Sequence, residues 1–183
     1  MFFMRYFLED EKVGLRCLTE DDCKGGYADW FNDPDVCRYN DHHRFPMTYG
    51  DLKGFVDGCT HTRTEIVMAV EEKESQTHIG NISLQHIDMV NRQAEIAFIF
   101  GEKTHWGKGF ATSAARLIID HAIKELGMNR IYFGTLDDNV AMQKVGEKLN
   151  FKQGGVRRQA LYKHGRFHDI YDYDLVASEW CFD

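Results

Sequence analysis

The chain has 183 residues, long enough for one domain with a sizeable core. Its 43% hydrophobic and 13% aromatic content is that of a globular protein, and no apolar run is long enough to span a membrane. A formal charge of −7 argues against nonspecific nucleic-acid binding, which needs a positive surface, and is compatible with a cationic substrate such as an amine.

The N-terminal stretch MFFMRYFLEDEK is apolar but short. It has no basic leader, long apolar run or small-residue cleavage site, so it does not read as a signal peptide, and a cytoplasmic location is expected. KVGLRCL (12–18) alternates like a strand. Thr19 is expected to cap a helix running to about Trp30, with Asp21 and Asp22 favourable in its first turn. NDPD (32–35) then reads as a turn, and a second helix fits 48–59, starting from Thr48.

Three strands follow, EIVMAVEE (65–72), HIGNISLQHI (78–87) and QAEIAFIF (93–100), joined by loops at 73–77 and 88–92. The period then becomes helical. Ala111, Ala114, Ala115, Ile118, Ala122 and Leu126 form one stripe, and Gly127 supplies the stop. RIYFGTL (130–136) reads as a strand and Asn139 as the cap of a short helix over 140–149. The last two strands form a hairpin around HGR (164–166). No repeat or linker interrupts this order, so residues 1–183 are expected to form a single domain. The expected class is α+β, with a mixed, mostly antiparallel sheet of about seven strands and about four helices.

The five cysteines (Cys17, Cys23, Cys37, Cys59, Cys181) are scattered without a C-x-x-C pair, which argues against a disulfide framework and a zinc site. Of the histidine pairs, His42–His43 and His164/His168, neither has carboxylate or cysteine partners at ligand spacing, so no metal is expected.

The stretch THWGKGFAT (104–112) places Gly107 and Gly109 around Lys108, directly before the long helix. A helix opening near Gly109 leaves its first amides without intrahelical partners, and these favour an anion. Glycines let the chain turn tightly and let a phosphate approach the backbone. The spacing fits neither the P-loop nor G-x-G-x-x-G, because Thr112 stands where a third glycine or alanine belongs.

The run WGKGFA, Trp106 to Ala111, resembles the acyl-CoA motif Q/R-x-x-G-x-G/A of the GNAT superfamily of N-acetyltransferases. Gly109 and Ala111 match its last two positions, and Trp106 replaces the first polar residue. NVAMQKVGEKLNF (139–151) is similar to the second family signature, N-x-x-[AS]-x-x-x-[YA]-E-K-x-G-F. Asn139, Glu147, Lys148 and Phe151 match, and Asn150 takes the usual glycine. The resemblance covers about residues 12–180. Within the family, VGLRCLTEDD, WFNDPDV and RRQALYKHGRFHDIYDYDLV resemble the ribosomal-protein alanine/serine N-acetyltransferases of the RimJ/RimL type. RQAEIAFIF and GKGFAT are shared with spermidine and diamine acetyltransferases.

The resemblance implies transfer of an acetyl group from acetyl-CoA to a primary amine by direct attack on the thioester. The acceptor is a small-molecule amine or a protein N-terminus, with no metal and no nucleic-acid or membrane partner, in a monomer or homodimer. Amines are mostly protonated at neutral pH, so a proton acceptor is needed. Glu95 is the expected catalytic base, because AEI precedes the glycine motif as the catalytic glutamate does in the family's histone acetyltransferases. Alternation places Glu95, Ala97 and Ile99 on one face of the strand and Ile96, Phe98 and Phe100 on the other. The backbone of Phe98, Ile99 and Phe100 is expected to pair with pantetheine and to polarise the thioester carbonyl. The pyrophosphate is expected on Trp106, Gly107, Lys108, Gly109, Phe110, Ala111 and Thr112, with Asn139 contacting the cofactor or ordering its turn. Met142 and Gly146 stand where relatives often carry a serine or a tyrosine, so neither supplies a general acid. The alternatives are water, another side chain such as Tyr132 or Tyr162, or no general acid at all. The loop 39–49, with Asp41, is expected near the acceptor pocket or as a mobile surface loop. Polyamine, amino-sugar or aminoglycoside acetylation, or acyl-CoA binding without catalysis, are the competing expectations.

Overall fold

The computed structural model describes residues 6–59 and 62–181. They build an eight-stranded sheet in the order β1-β2-β3-β4-β5-β6-β8-β7. The strands are β1 (Leu8–Glu9), β2 (Val13–Cys17), β3 (Ile66–Glu72), β4 (Thr77–Asp88), β5 (Gln93–Phe100), β6 (Arg130–Leu136), β7 (Lys152–Lys163) and β8 (Arg166–Val176). The helices are α1 (Tyr27–Asn32), α2 (Tyr49–Cys59), α3 (Phe110–Lys124) and α4 (Val140–Lys148). The mixed α+β class is as expected. The strand beyond the expected seven is β1, a two-residue strand that pairs with β2 and is too short to show a period.

The expected first helix is corrected. Residues Asp22–Lys24 form only a 3₁₀ turn, and α1 starts at Tyr27. Gly25 adopts φ −94°, ψ −160°, an extended conformation that breaks the run. Asp22 serves the core instead of the helix dipole. Its carboxylate accepts from the Thr19 amide at 2.7 Å and pairs with the Arg16 guanidinium at 2.7 Å. Thr48 does cap α2, accepting from the Asp51 amide at 3.2 Å while its own hydroxyl donates back to Asp51 at 2.6 Å.

Two apolar layers cover the sheet. On one face α3 and α4 pack over Val13, Leu15, Ile82, Leu84, Ala94, Ile96, Ile131 and Leu175. The predicted stripe supplies Ala114, Ala115, Ile118 and Ala122 to this layer, all fully buried. Ile118 and Ile119, also fully buried, each contribute about 1.5–3 kcal/mol by burial. Gly127, at φ +67°, ends the helix, and the Met128 amide bonds back to the Ala122 carbonyl at 2.9 Å. On the other face Leu18, Tyr27, Trp30, Phe31, Leu52 and Val56 cover Ala69, so α1 and α2 lie there.

A polar network joins this second layer to the sheet. Arg16, 9% exposed at its side chain, bonds Asp22 and Glu71. Burial pushes the Asp22 carboxyl up, but hydrogen bonds from His78 and Arg16 and the Thr19 amide outweigh it and hold it well below the usual carboxylate range. Tyr6 donates to Glu71 at 2.5 Å, and burial with that bond pushes its phenol up to about 12. His78 reaches Asn81 at 2.7 Å, and Asn81 donates to the buried Tyr27 hydroxyl. The network fixes α1 against β4, next to the end of β5.

Candidate active site

The central strands part from one another. β5 pairs with β4 along its length, from Gln93 opposite Asp88 to Phe100 opposite Gly80. On its other edge it pairs in parallel with β6 only at Gln93–Arg130, Ala94–Ile131 and Glu95–Tyr132. Beyond that point β6 follows β8 as far as Leu136. The β6-facing peptide groups of residues 96–100 therefore have no strand partner in β6. An extended amide-containing ligand is the natural complement of such an edge.

Phe98 and Phe100 pack their rings against the α3 layer, and Ile99 joins the α1/α2 layer. All three side chains are partly buried in this packing, and the β6-facing backbone of the segment is open to a ligand. One group is already engaged: the Trp106 indole N–H donates to the Phe100 carbonyl at 2.8 Å. The residue that departs from the family motif thus ties the glycine loop to the end of β5. Gly101 sets the next contact. A Cβ there would stand 1.9 Å from the Trp30 ring, so α1 docks directly on the strand end.

The glycine loop has the conformation that its composition implies. Gly107 lies at φ +74° and Gly109 at φ +90°, ψ 3°, both left-handed. Gly109 precedes α3, and its carbonyl accepts the first helical bond, from Ser113 at 3.0 Å. The amides of Phe110, Ala111 and Thr112 have no partner inside the helix. Nothing lies within 4 Å of a Cβ at Gly107, and at Gly109 the one atom that near is Lys12 Nζ at 3.9 Å. Open space, free amides and the exposed side chains of Lys12 and Lys108 form a cradle that fits an anion. Asp10 braces it from behind. Its carboxylate accepts from Ser113 and from the Lys12 and Val13 amides at 2.8 Å. Burial raises the Asp10 pKa, and these bonds reverse the shift, so the group is held below its ordinary value.

Asn139 caps α4. Its Oδ1 accepts from the Met142 amide at 3.2 Å, and its Nδ2 donates to the Thr135 hydroxyl at 2.9 Å. These two bonds account for the side chain as an orderer of the turn after β6. Met142 packs on the core. Gly146 is buried, and a Cβ there would stand 2.8 Å from the Phe133 ring. The ring of Phe133 fills the space that a tyrosine at 146 would need. Asn150, in the position of the family glycine, has φ +63°, which asparagine tolerates better than other residues with a side chain.

Glu95 is the last residue of β5 paired to β6, so it stands at the vertex where the strands diverge. Its side chain is 30% exposed, and its Oε2 lies 3.0 Å from His86 Nδ1. Tyr132 is its partner across the parallel pair. Burial, then the Glu95 charge, push the Tyr132 phenol up, while Arg130, with its guanidinium carbon 4.8 Å above the ring, opposes them. Tyr162 is 51% exposed and packs on Phe167 in the β7–β8 hairpin. Of the two tyrosines named from sequence, Tyr132 is the one beside Glu95.

The floor around the vertex carries residues that no local motif announced. Arg157 of β7 lies over Gly134 of β6, where a Cβ would stand 2.6 Å from its Nη2. It grips Asp172 through Nε and Nη2 at 2.8–3.1 Å. Arg130 holds Asp174 at 2.9 Å. The loop 39–49 is partly clasped. Lys163, at the tip of β7, donates to the carbonyls of Cys37 at 2.6 Å, of His42 at 3.1 Å and of Asn40. Asp41 pairs with Arg44 at 2.7 Å within that loop.

The expectation that His164 and His168 lack carboxylate partners is corrected for His168. Its Nδ1 lies 3.4 Å from Asp137 Oδ1 and 4.0 Å from Asp138 Oδ1. The sequence separation of these residues hid the cluster. Arg166 Nε donates to His168 Nε2 at 3.3 Å, which puts the ring proton on Nδ1, facing Asp137. Both ring nitrogens are committed, so the group reads as an ion and hydrogen-bond network.

The acetyltransferase (GNAT) domain profile matches residues 12–152. A protein named as a candidate ribosomal N-acetyltransferase, YdaF of Bacillus subtilis, is 38% identical over 101 residues, 55% of either chain. The chain thus spans about half the length of that relative. The uncharacterized N-acetyltransferase p20 of Bacillus licheniformis is 27% identical over 175 residues, 94% of this chain and 97% of the relative. Among solved structures, a spermidine N-acetyltransferase of Vibrio cholerae in complex with CoA and spermine superposes with a TM-score of 0.84 at 22% identity, covering 93% of this chain and 98% of the other. The chain belongs to the acetyltransferase (GNAT) domain family.

Proposed function

We propose that this GNAT-family acetyltransferase transfers the acetyl group of acetyl-CoA to a primary amine at the vertex of β5 and β6, with Glu95 as the base. The observation that carries the reading is the position of Glu95. It is the last β6-paired residue of β5, and it stands where the unpaired backbone of 96–100 begins. Pantetheine laid along that edge leads from the cradle at 107–112 to the vertex. The cradle amides take the pyrophosphate, and a main-chain amide between Phe98 and Phe100 faces the charge that develops on the thioester oxygen. Trp106 holds the loop and strand in register for both contacts, and Asn139 orders the opposite wall.

The step balances without a metal. Glu95 takes a proton from the ammonium, the amine lone pair attacks the carbonyl carbon, the C–S bond breaks, and the proton left on the nitrogen passes to the departing sulfur through solvent, giving the amide and CoA. A thiol of ordinary pKa near ~8.5 is a tolerable leaving group without a general acid, which suits the apolar Met142 and Gly146.

The floor favours a singly charged amine. Asp172 and Asp174 are each held by an arginine, which leaves Glu95 as the carboxylate for the incoming cation. An α-amino group, with an ordinary pKa of ~7.7–8.0, also asks less of the base than a lysine-like amine near ~10.4. We therefore favour a protein N-terminal α-amine, in line with the likeness to YdaF and the RimJ/RimL-type ending. Spermidine is the second reading, supported by the likeness to the Vibrio enzyme.

CoA release followed by a thiol reagent, with an Ala- or Ser-initiated peptide and with spermidine, tests both. The peptide is expected to show the higher kcat/KM. Glu95→Gln should lower turnover by about 10²–10⁴-fold at neutral pH while acetyl-CoA affinity persists. Unchanged turnover removes Glu95 as base, and acetyl-CoA binding without transfer leaves a noncatalytic domain.

A further inference from the structure

We infer that His86 is the residue through which Glu95 passes to solvent the proton it takes from the amine; the inference rests on the reading of Glu95 as base. The β4–β5 register breaks beside Glu95. Gln85 pairs with Glu95 and the next pair is Asp88–Gln93, so His86 and Ile87 stand opposite the single residue Ala94. This is a β-bulge, a device that re-aims a side chain. In an unbroken strand Gln85 shares the face of Glu95 and His86 points the other way. His86 instead adopts φ +50°, and its Nδ1 comes to 3.0 Å from Glu95 Oε2.

A left-handed conformation is unfavourable for a residue with a side chain, so its location is informative. Seven such residues occur among the described ones. His43, Gln76, Arg92, Asn150 and His164 lie in loops, turns or a helix end. Only His86 and Gln159 lie inside strands, and Gln159 uses the geometry to bond its amide to Asp169 at 2.8 Å. The bulge at His86 delivers a side chain to the candidate base.

The exposures run in the direction a relay needs. Glu95 is 30% exposed and His86 is 73% exposed, so the pair leads from the partly covered vertex to water. The other charged groups near the vertex are engaged elsewhere. Arg130 holds Asp174 beneath the Tyr132 ring, Arg157 holds Asp172, and Asp88 accepts from the Val90 and Asn91 amides. Imidazole can accept a proton on one nitrogen while releasing one from the other. In the relay His86 starts with its proton on Nε2 and a bare Nδ1 facing Glu95. The ammonium proton moves to Glu95 and then to Nδ1, the Nε2 proton leaves to water, and exchange with solvent returns the ring to its starting tautomer; the free amine remains to attack the thioester.

The experiment compares wild type, His86→Ala, His86→Gln and Glu95→Gln, with the Ser-initiated peptide and spermidine as acceptors. Glutamine keeps a hydrogen bond to Glu95 but cannot accept and release a proton. Both His86 variants are expected to lose on the order of 10-fold or more in kcat, with KM for acetyl-CoA unchanged, and added imidazole is expected to restore the rate of His86→Ala. Wild-type kcat in His86→Gln, or no response of His86→Ala to imidazole, overturns the relay. If Glu95→Gln is inactive while His86→Ala is fully active, the relay alone falls. If Glu95→Gln is fully active, or if wild type acetylates neither amine, the base falls and the relay with it.

Discussion

Gly107→Ala and Gly109→Ala separate backbone strain from phosphate contact. Both positions are left-handed, at φ +74° and +90°, and neither has a neighbour close enough to clash with a methyl group. Alanine at either site therefore loses stability through conformation alone, about 1–2 kcal/mol. For a chain of this size that is a Tm decrease of roughly 2–8 °C. The two differ at the cradle. Gly109 is the N-cap of α3, directly before the free amides of residues 110–112, and a methyl group there is expected to crowd them, whereas Gly107 lies two residues earlier. An oxygen of the pyrophosphate must come to about 2.9 Å from an amide nitrogen, and the methyl group denies that approach. Losing one charge-assisted hydrogen bond, about 1.5–3 kcal/mol, weakens binding by roughly 10- to 150-fold. Thermal unfolding and calorimetric titration with acetyl-CoA read the two effects independently. The expected result is similar Tm losses for both variants, with a large affinity loss for Gly109→Ala alone. Equal affinity losses, or wild-type affinity in Gly109→Ala, refute the cradle.

Two further variants test the frame that holds the site. Asp22→Asn leaves the buried Arg16 with Glu71 as its one carboxylate partner, and breaking such a pair costs about 3–5 kcal/mol. The folded-state pKa of Asp22 is depressed, so its stabilisation is present above the unfolded value of about 3.9 and is lost as pH falls below it. Urea denaturation should show a larger deficit for Asp22→Asn at pH ~7 than at pH ~3, and an equal deficit at both refutes the linkage. In α4, helix propensity alone favours Gly146→Ala by about 1 kcal/mol. The Cβ at 2.8 Å from the Phe133 ring reverses that sign, so a net loss of about 1–2 kcal/mol is expected by the same method. A stabilised Gly146→Ala shows that the ring moves aside and that a tyrosine could be accommodated.

Much of the fold was legible because its signals are local. QAEIAFIF and RIYFGTL coincide with β5 and β6, and Thr48, Asn139 and Gly127 punctuate helices as their side chains or their absence dictate. The first helix failed for an equally physical reason. Asp22 has the position of a first-turn acid, but the buried guanidinium of Arg16, six residues earlier on β2, binds it more strongly than a helix dipole does. The glycine pair at 25–26 then breaks the run. Sequence spacing shows neither the partner nor the preference.

The same contrast runs through the candidate site. The cofactor side is written contiguously: strand, loop, two glycines, helix. Its geometry follows from backbone requirements that each residue announces by itself. The acceptor side is assembled from distant pieces. Glu95 meets His86 across a bulge, Arg157 crosses from β7 to lie on Gly134 of β6, and Lys163 reaches the carbonyls of 37–42. None of these contacts has a period or a fixed spacing, because each depends on sheet order, and β8 lies between β6 and β7. The glycine at 134 is the closest to a signal, since only a residue without a side chain admits the guanidinium, yet a lone strand glycine has many causes. On the proposed reading, the arginine-held acids at Asp172 and Asp174, rather than the glycine motif, bear on the choice between an N-terminal amine and a polyamine.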